Sequence, residues 1–413
     1  MRTPTQIVRH TARALALGAG LSVALLAGCS PGHGQSTSKQ MSRAVATVAG
    51  IKAGNLYTQA KQSYLAGDLD KATRYIDQSL TINPSVPDSH VLRGRILLEQ
   101  DELEEAKNSF MRAEALKPSG VEAQYYLGIV FERFNQTDKA LERYTRAAEL
   151  EPNNPQYAVA AAETMMDLHQ LDKAEEFLTS RSTAFEHNAG VRQTLGHIAM
   201  MKGDSEAACK HFDDARLLAP DDTGILEDLV RAQVATHQFG DAESNIARLL
   251  KGTPAGERRD LRLLQARCMM NLDRPVEARQ VLLDITRDSA GRNDADAWIL
   301  LGNTSYMLKD MNRVRMAFTN VIALAPSRTE GYMLRALWQR KQNDLPAALA
   351  SVEKATQLGG SDTEPRMLKG VILRDLGRAE EARTIFSEII QSDPANEQAK
   401  RALATVPETG TGE

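Results

Sequence analysis

The chain has 413 residues, with 50 Lys plus Arg against 54 Asp plus Glu, a net charge of −4 and a pI near 6.1. The chain lacks the net basic charge expected of a nucleic-acid binder, and three cysteines (Cys29, Cys209, Cys268) do not make a disulfide framework. Aromatic residues are only 5% and charged residues 25%, a composition suited to stacked helices.

Residues 1–28 read as an export signal. Arg2, Arg9 and Arg13 form a cationic start, and Ala14 to Leu26 form an apolar run too short to span a bilayer. The run ends in Leu26-Ala27-Gly28-Cys29, which resembles the lipobox of bacterial lipoproteins. The resemblance implies cleavage before Cys29 and acylation of that residue, and acyl chains together exceed what stable anchoring needs. Ser30 stands where lipoproteins retained at the inner membrane typically carry Asp. The resemblance therefore implies an outer-membrane protein facing the periplasm. Residues 29–52 are expected to be the lipidated Cys and a flexible tether, since Ser30 to Gln40 is rich in Gly, Ser and Gln without apolar period.

Beyond the tether, prolines keep a ruler. Pro84, Pro118, Pro152, Pro220, Pro254, Pro326 and Pro394 fall on a 34-residue grid, with a four-residue slip between Pro254 and Pro326. Proline fixes φ and lacks an N–H, so it punctuates helix ends, and a fixed period of this length marks a repeat architecture. Between the marks, residues 53–396 divide into ten units. The third holds Leu127-Gly128, Phe131, Ala140, Tyr144, Ala147 and Pro152; the fifth holds Leu195-Gly196, Ala208, Phe212, Ala215 and Pro220; the eighth opens on Trp298 with Leu301-Gly302. These units resemble the tetratricopeptide repeat. The resemblance implies an all-α fold, a right-handed superhelical solenoid of about ten helix-turn-helix repeats.

Small residues are needed where the helices of a hairpin cross, which assigns Gly94, Gly128, Gly196, Gly302 and Gly370 to the first helix and Ala72, Ala106, Ala140 and their equivalents to the second. Gly67-Asp68 and Gly203-Asp204 fit the turn between helices. The fourth unit is degraded, with Ala162 for Gly, Arg181 for a later Ala and no closing proline. Two-residue slips near residues 257 and 293 predict longer loops there, separating repeats one to six (53–256) from seven to ten (257–396). Residues 397–413 are expected to form a capping helix and a disordered tail.

No H-E-x-x-H, paired C-x₂-C or phosphate-binding loop occurs. His169, His187, His197 and His211 lie in unrelated phases of the repeat and do not suggest a metal site. Cys209 and Cys268, on different repeats, read as buried small hydrophobes. No catalytic residues, cofactor or small-molecule substrate are expected.

In the family, first helices line a concave groove that binds protein or peptide. Carried onto this chain, that implies a partner surface of Tyr57, Tyr64, Arg95, Tyr125, Arg133, Met200, Met201, Arg231, Arg267, Met270, Tyr306, Met307, Arg340 and Arg374. Methionines suit adaptable contacts and Arg with Tyr suits binding hot spots. The Lys–Asn carboxylate clamp of chaperone-binding relatives is not reproduced, because Lys61 and Arg95 lack partner asparagines. The expected role is a non-enzymatic scaffold for assembly of a periplasmic or outer-membrane apparatus, of pilus or secretion type. Alternatives are a scaffold for exopolysaccharide synthesis and export, or an adaptor for cell-wall hydrolases or proteases.

Overall fold

The computed structural model describes residues 34–254 and 257–407, and among these every regular element is helical. Two compact units part between Ala123 and Gln124, inside the helix Val121–Arg133. The first unit pairs Gly34–Leu65 with Leu69–Ile82, and Pro87–Glu99 with Leu103–Leu116. In the second unit, Thr137–Leu150 follows Val121–Arg133, and seven further hairpins run from Pro155–Asp167 with Leu171–Thr179 to Thr363–Asp375 with Ala379–Ser392. The short helix Glu397–Ala404 follows the last hairpin and buries Ala399.

Each hairpin interior is a matched pair of volumes sixteen residues apart. Where the first helix carries Gly, the second carries a ring: Gly94 with Phe110, Gly128 with Tyr144, Gly196 with Phe212, Gly302 with Phe318, Gly370 with Phe386. Where it carries Ala, the partner is aliphatic: Ala60 with Ile76, Ala162 with Leu178, Ala266 with Leu282, Ala336 with Val352. Repeat six uses Val230 with Ile246. A Cβ at Gly94, Gly196 or Gly370 would sit 2.5 Å from the facing ring, and one at Gly128 would collide with Tyr144. Gly302 differs, since its Cβ would meet Leu334 at 2.6 Å and Ala317 at 3.1 Å rather than Phe318. The glycines thus make room for a side chain more than for a backbone. Twelve residues beyond each small position lies an Ala with no exposed surface (Val314 in repeat eight).

The turn within each hairpin repeats as strictly. Gly67, Asp101, Asn135, His169, Gly203, His237, Asp273, Lys309, Asn343 and Gly377 all have φ between +56° and +81°. Their spacing is 34 residues except for two steps of 36 on either side of Asp273, which locates the slips. Leu249 and Arg259 bound one long connection, and residues 288–294, with a 3₁₀ turn at Gly291–Asn293, form the other. Asp68, Asp204, Asp310 and Asp344 then cap the second helices through their carboxylates.

Repeat four stops early: its second helix ends at Thr179 and a single turn, Ser182–Phe185, replaces the missing length. Arg181 explains the stop. Its Nη1 donates to the Phe177 carbonyl at 2.8 Å while its guanidinium lies 3.8 Å from the Phe177 ring centroid. Phe185 is buried in place of the lost turn.

The N-terminal side corrects an expectation. Residues 34–52, expected to belong to a flexible tether, are helical and continuous with the first helix of repeat one. Ala44, Ala46, Ala49 and Ala53 favour the helix, and a helix nucleated by packing at Ala53 and Ala60 extends at little further cost. Cys29 and residues 30–33 lie outside the described residues, as does the tail from 408.

The left-handed turn carries a non-glycine residue in most repeats, which strains Lys and His more than Asn or Asp. Lys309→Gly is expected to raise stability by about 0.5–1 kcal/mol and Gly203→Ala to lower it by about 1 kcal/mol. Urea unfolding of the two variants checks both signs.

Candidate protein-binding groove

The first helices of repeats four and five, seven and eight, eight and nine, and nine and ten touch directly across the repeat boundary. The expected partner residues of the unit that begins at Gln124 all lie on first helices.

In the unit ending at Ala123, Tyr57 and Tyr64 are half-buried against Ala60, Ile76 and Leu92. The Arg95 guanidinium sits 5.0 Å from the Tyr64 ring centroid, and the Tyr64 hydroxyl donates to Glu99 Oε1 at 3.5 Å. Burial, with Asp88 and Glu122 nearby, pushes the Tyr57 phenol above its ordinary value. Tyr64 and Arg95 are therefore together, held by stacking rather than free to move.

In the second unit Tyr125 belongs to an aromatic cluster, with ring centroids 5.4 Å from Tyr126, 5.6 Å from Tyr144 and 5.2 Å from Tyr157. Its hydroxyl accepts from Gln156 Nε2 at 2.9 Å. Arg133 is exposed at the end of the same helix. Met200 packs on the Phe212 cluster, and Met270 accepts a hydrogen bond from the Thr304 hydroxyl at 3.1 Å. Tyr306 packs beside Val314 and Phe318. Met201 and Met307 are exposed. Arg340 and Arg374 converge on one carboxylate, Asp375, at 2.6 and 3.2 Å, and Arg374 also donates to Thr405.

The densest polar constellation centres on Asp228, which is only 8% exposed. Its Oδ2 accepts from His197 Nε2 and Gln193 Nε2, each at 2.8 Å, and its Oδ1 accepts from Arg231 at 2.6 Å. Burial pushes the carboxyl up, but the two hydrogen bonds and the charges of His197 and Arg231 outweigh it, so its pKa lies below the ordinary carboxylate value. Glu227, one residue earlier, meets Arg258 at 2.7 Å, and Arg258 is also paired with Asp260 at 3.0 Å. Beside this network a cleft of about 300 Å³ opens among the first helices of repeats six to eight. Its floor is Val230, Leu261, Leu263 and Leu264; its rim is charged, with Asp260 and Asp296 facing Arg231 and Arg267. Arg231 and Asp296 are paired within the chain. Arg267 is exposed and has no ion pair among the described residues.

The sequence pointed to Arg231, Arg267 and Met270, but not to Gln193, His197, Glu227, Asp228 and Arg258. Asp228 precedes the buried Leu229 and Val230, an inward phase at which a charged residue needs partners. That phase was the available signal.

A larger cleft, about 590 Å³, lies between the second helices of repeats five and six and is lined by mixed charges such as Lys210, Asp213, Asp241 and Arg248. Cys209 and Cys268 are free and buried, and burial raises both thiols, Cys268 to about 11, so neither is a thiolate at neutral pH. Among the described residues no His, Cys, Asp and Glu group could hold a metal, and no helix is long and apolar enough to cross a membrane.

The tetratricopeptide repeat family model matches residues 91–158 and 333–397. Among curated proteins, tetratricopeptide repeat protein 36 of Xenopus tropicalis is 34% identical over 96 residues, 22% of this chain and 48% of that protein. The chain thus spans about half the length of this curated relative. Similar solved structures include PilW, a widely conserved type IV pilus biogenesis factor, at 18% identity and a TM-score of 0.45 over 50% of this chain and 95% of PilW. YrrB, a tetratricopeptide repeat protein with an unusual peptide-binding site, is similar at 22% identity and a TM-score of 0.36, over 42% of this chain and 89% of YrrB. A tetratricopeptide repeat protein from Parabacteroides merdae is similar at 18% identity and 0.44, over 62% and 99%.

Asp228→Asn keeps the shape but removes the charge that Arg231 and His197 share, and is expected to cost about 1–3 kcal/mol at pH 7. Because the folded pKa of Asp228 is depressed, its stabilisation is present above about pH 3.9 and is lost as pH falls through the folded value. The gap between wild type and variant should therefore close as the pH falls from about 5 toward 2. Thermal unfolding across that range reads it directly.

Proposed function

The chain being a tetratricopeptide repeat protein, we propose that it acts as a non-enzymatic scaffold, anchored through Cys29 to the periplasmic face of the outer membrane. Its first-helix face holds a segment of another protein during assembly of an envelope apparatus of pilus or secretion type. The observation that carries this reading is the cleft of repeats six to eight. An apolar floor of four Val and Leu side chains lies under a charged rim in which the acids are paired internally, while Arg267 keeps no counter-charge among the described residues. Such a site accepts an apolar side chain with an acidic neighbour, a short-peptide chemistry rather than that of a small metabolite. Paired titratable groups in a solvated, open groove give no nucleophile next to a base, so binding rather than turnover fits the site. The Leu26-Ala27-Gly28-Cys29 sequence supports the anchor.

Photo-crosslinkers at Leu263, Met270 and Met307 are expected to capture one and the same envelope protein in cells, with Lys210 and Arg248 on the second helices as controls. Arg267→Glu should weaken that capture about tenfold or more, as loss of a charge-assisted contact does. Capture by the second-helix controls alone, or unaltered capture by Arg267→Glu, contradicts the reading. Cys29→Ala should release the protein from the membrane fraction if the anchor is correct.

A further inference from the structure

The helix Gly34–Leu65 begins its packing only at Ala53, so its first nineteen residues project from repeat one over roughly 28 Å. On this projection Met41, Val45, Val48 and Ile51 are 71%, 63%, 66% and 61% exposed. They are four of the thirteen large apolar side chains exposed among the described residues, gathered within eleven positions. Spacings of four, three and three residues put them on one side of the helix. No other described residue covers them. The surrounding charge has one sign: Lys39, Arg43, Lys52 and Lys61 are the ionised side chains of the helix, and the first acidic residue of the chain is Asp68. Lys52 falls on the apolar side itself, while Lys39 and Arg43 lie about half a turn away.

Two facts select what covers this face. A second copy laid on this side would bring Lys52 toward its own equivalent, with Lys39, Arg43 and Lys61 behind it adding like charge and no acid on either helix to offset it, which disfavours self-pairing. An anionic surface is the complement of that charge. Position gives the second argument. Only five Cα–Cα steps separate Cys29 from Gly34, a reach of about 17 Å even when fully extended. An acyl group on Cys29 would hold the start of this helix at the headgroup layer. We propose that the projecting part of the first helix lies on an anionic lipid surface, with Met41, Val45, Val48 and Ile51 seated among the acyl chains and Lys52 at the headgroups. The inference rests on acylation of Cys29 and adds to it. The anchor is then a helix and a lipid together, which fixes the orientation of the repeats instead of leaving them on a flexible string. Two independent membrane signals also bind more stably than one.

The test uses full-length protein made with its own signal, with Cys209→Ser and Cys268→Ser and one environment-sensitive fluorophore attached at a cysteine replacing Val48, Val45 or, as a control, Glu104. Each is returned from detergent to vesicles of phosphatidylcholine with or without phosphatidylglycerol, and intact mass reports acylation separately. The expected result is a blue-shifted emission at positions 45 and 48, quenched by lipid-borne quenchers, with none at 104. The shift should be larger with phosphatidylglycerol and lost when Lys39, Arg43 and Lys52 are all replaced by Glu. An acylated, vesicle-bound protein whose probes at 45 and 48 stay in water overturns this inference alone and leaves the anchor standing. An unacylated protein with probes in water overturns both. A blue shift that persists without lipid and grows with protein concentration, or appears only when another envelope protein is added, assigns the face to a protein and overturns the lipid assignment.

Discussion

The stack depends on one contact made in nine of the ten hairpins: a smaller residue on the first helix against a larger one sixteen residues later. Four hairpins solve the contact with Gly and an aromatic residue, four with Ala and an aliphatic one, and repeat six with Val230 and Ile246, while Gly302 of repeat eight makes room for Leu334 instead. Interiors are packed to crystal-like density, so the sum of the two volumes is constrained more tightly than either alone. Repeat four departs from the Gly pattern because Ala162 replaces Gly, yet Leu178 opposite is smaller than Phe and the pair still fills its space with no exposure. Its true departure is at Arg181, outside the contact.

Because each hairpin closes on itself in this way, repeats can stack with little dependence on what lies further along the chain, as in other quasi-linear arrays. Stacking brings first helices together, and residues that no hairpin needs for its own interior are left to meet across repeat boundaries. Asp228 of repeat six meets His197 and Gln193 of repeat five; Arg340 of repeat nine meets Asp375 of repeat ten. The polar character of the first-helix face is thus a property of neighbouring pairs.

This division explains what the sequence disclosed. Periodic features were legible: the prolines, the small first-helix positions and the Gly67 and Gly203 turns each recur at a fixed phase. The slips near 257 and 293 also showed, since a two-residue offset moves every later mark, and they reappear as the 36-residue steps around Asp273. Side-chain meetings between repeats were not legible, because period alone does not say which residue of one repeat touches which of the next; Asp228 and Arg258 were missed for that reason. The N-terminal helix was missed for another. Gly, Ser and Gln near residue 35 suggested a tether, while the alanines from 44 to 53 let the packed helix run back through it. The exposed apolar residues of that helix had no periodic partner to point to them.

The central claim, that paired volume and not the identity of either residue sustains each hairpin, is tested most directly in repeat four by a double-mutant cycle of Ala162→Gly and Leu178→Phe. Alone, the first leaves a gap and a flexible backbone and the second overpacks, each costing about 1–3 kcal/mol. Together they rebuild the pairing used by Gly94 and Phe110. Chemical unfolding should find the double variant less destabilised than the sum of the singles by at least about 1 kcal/mol. Simple additivity of the two costs would contradict the account.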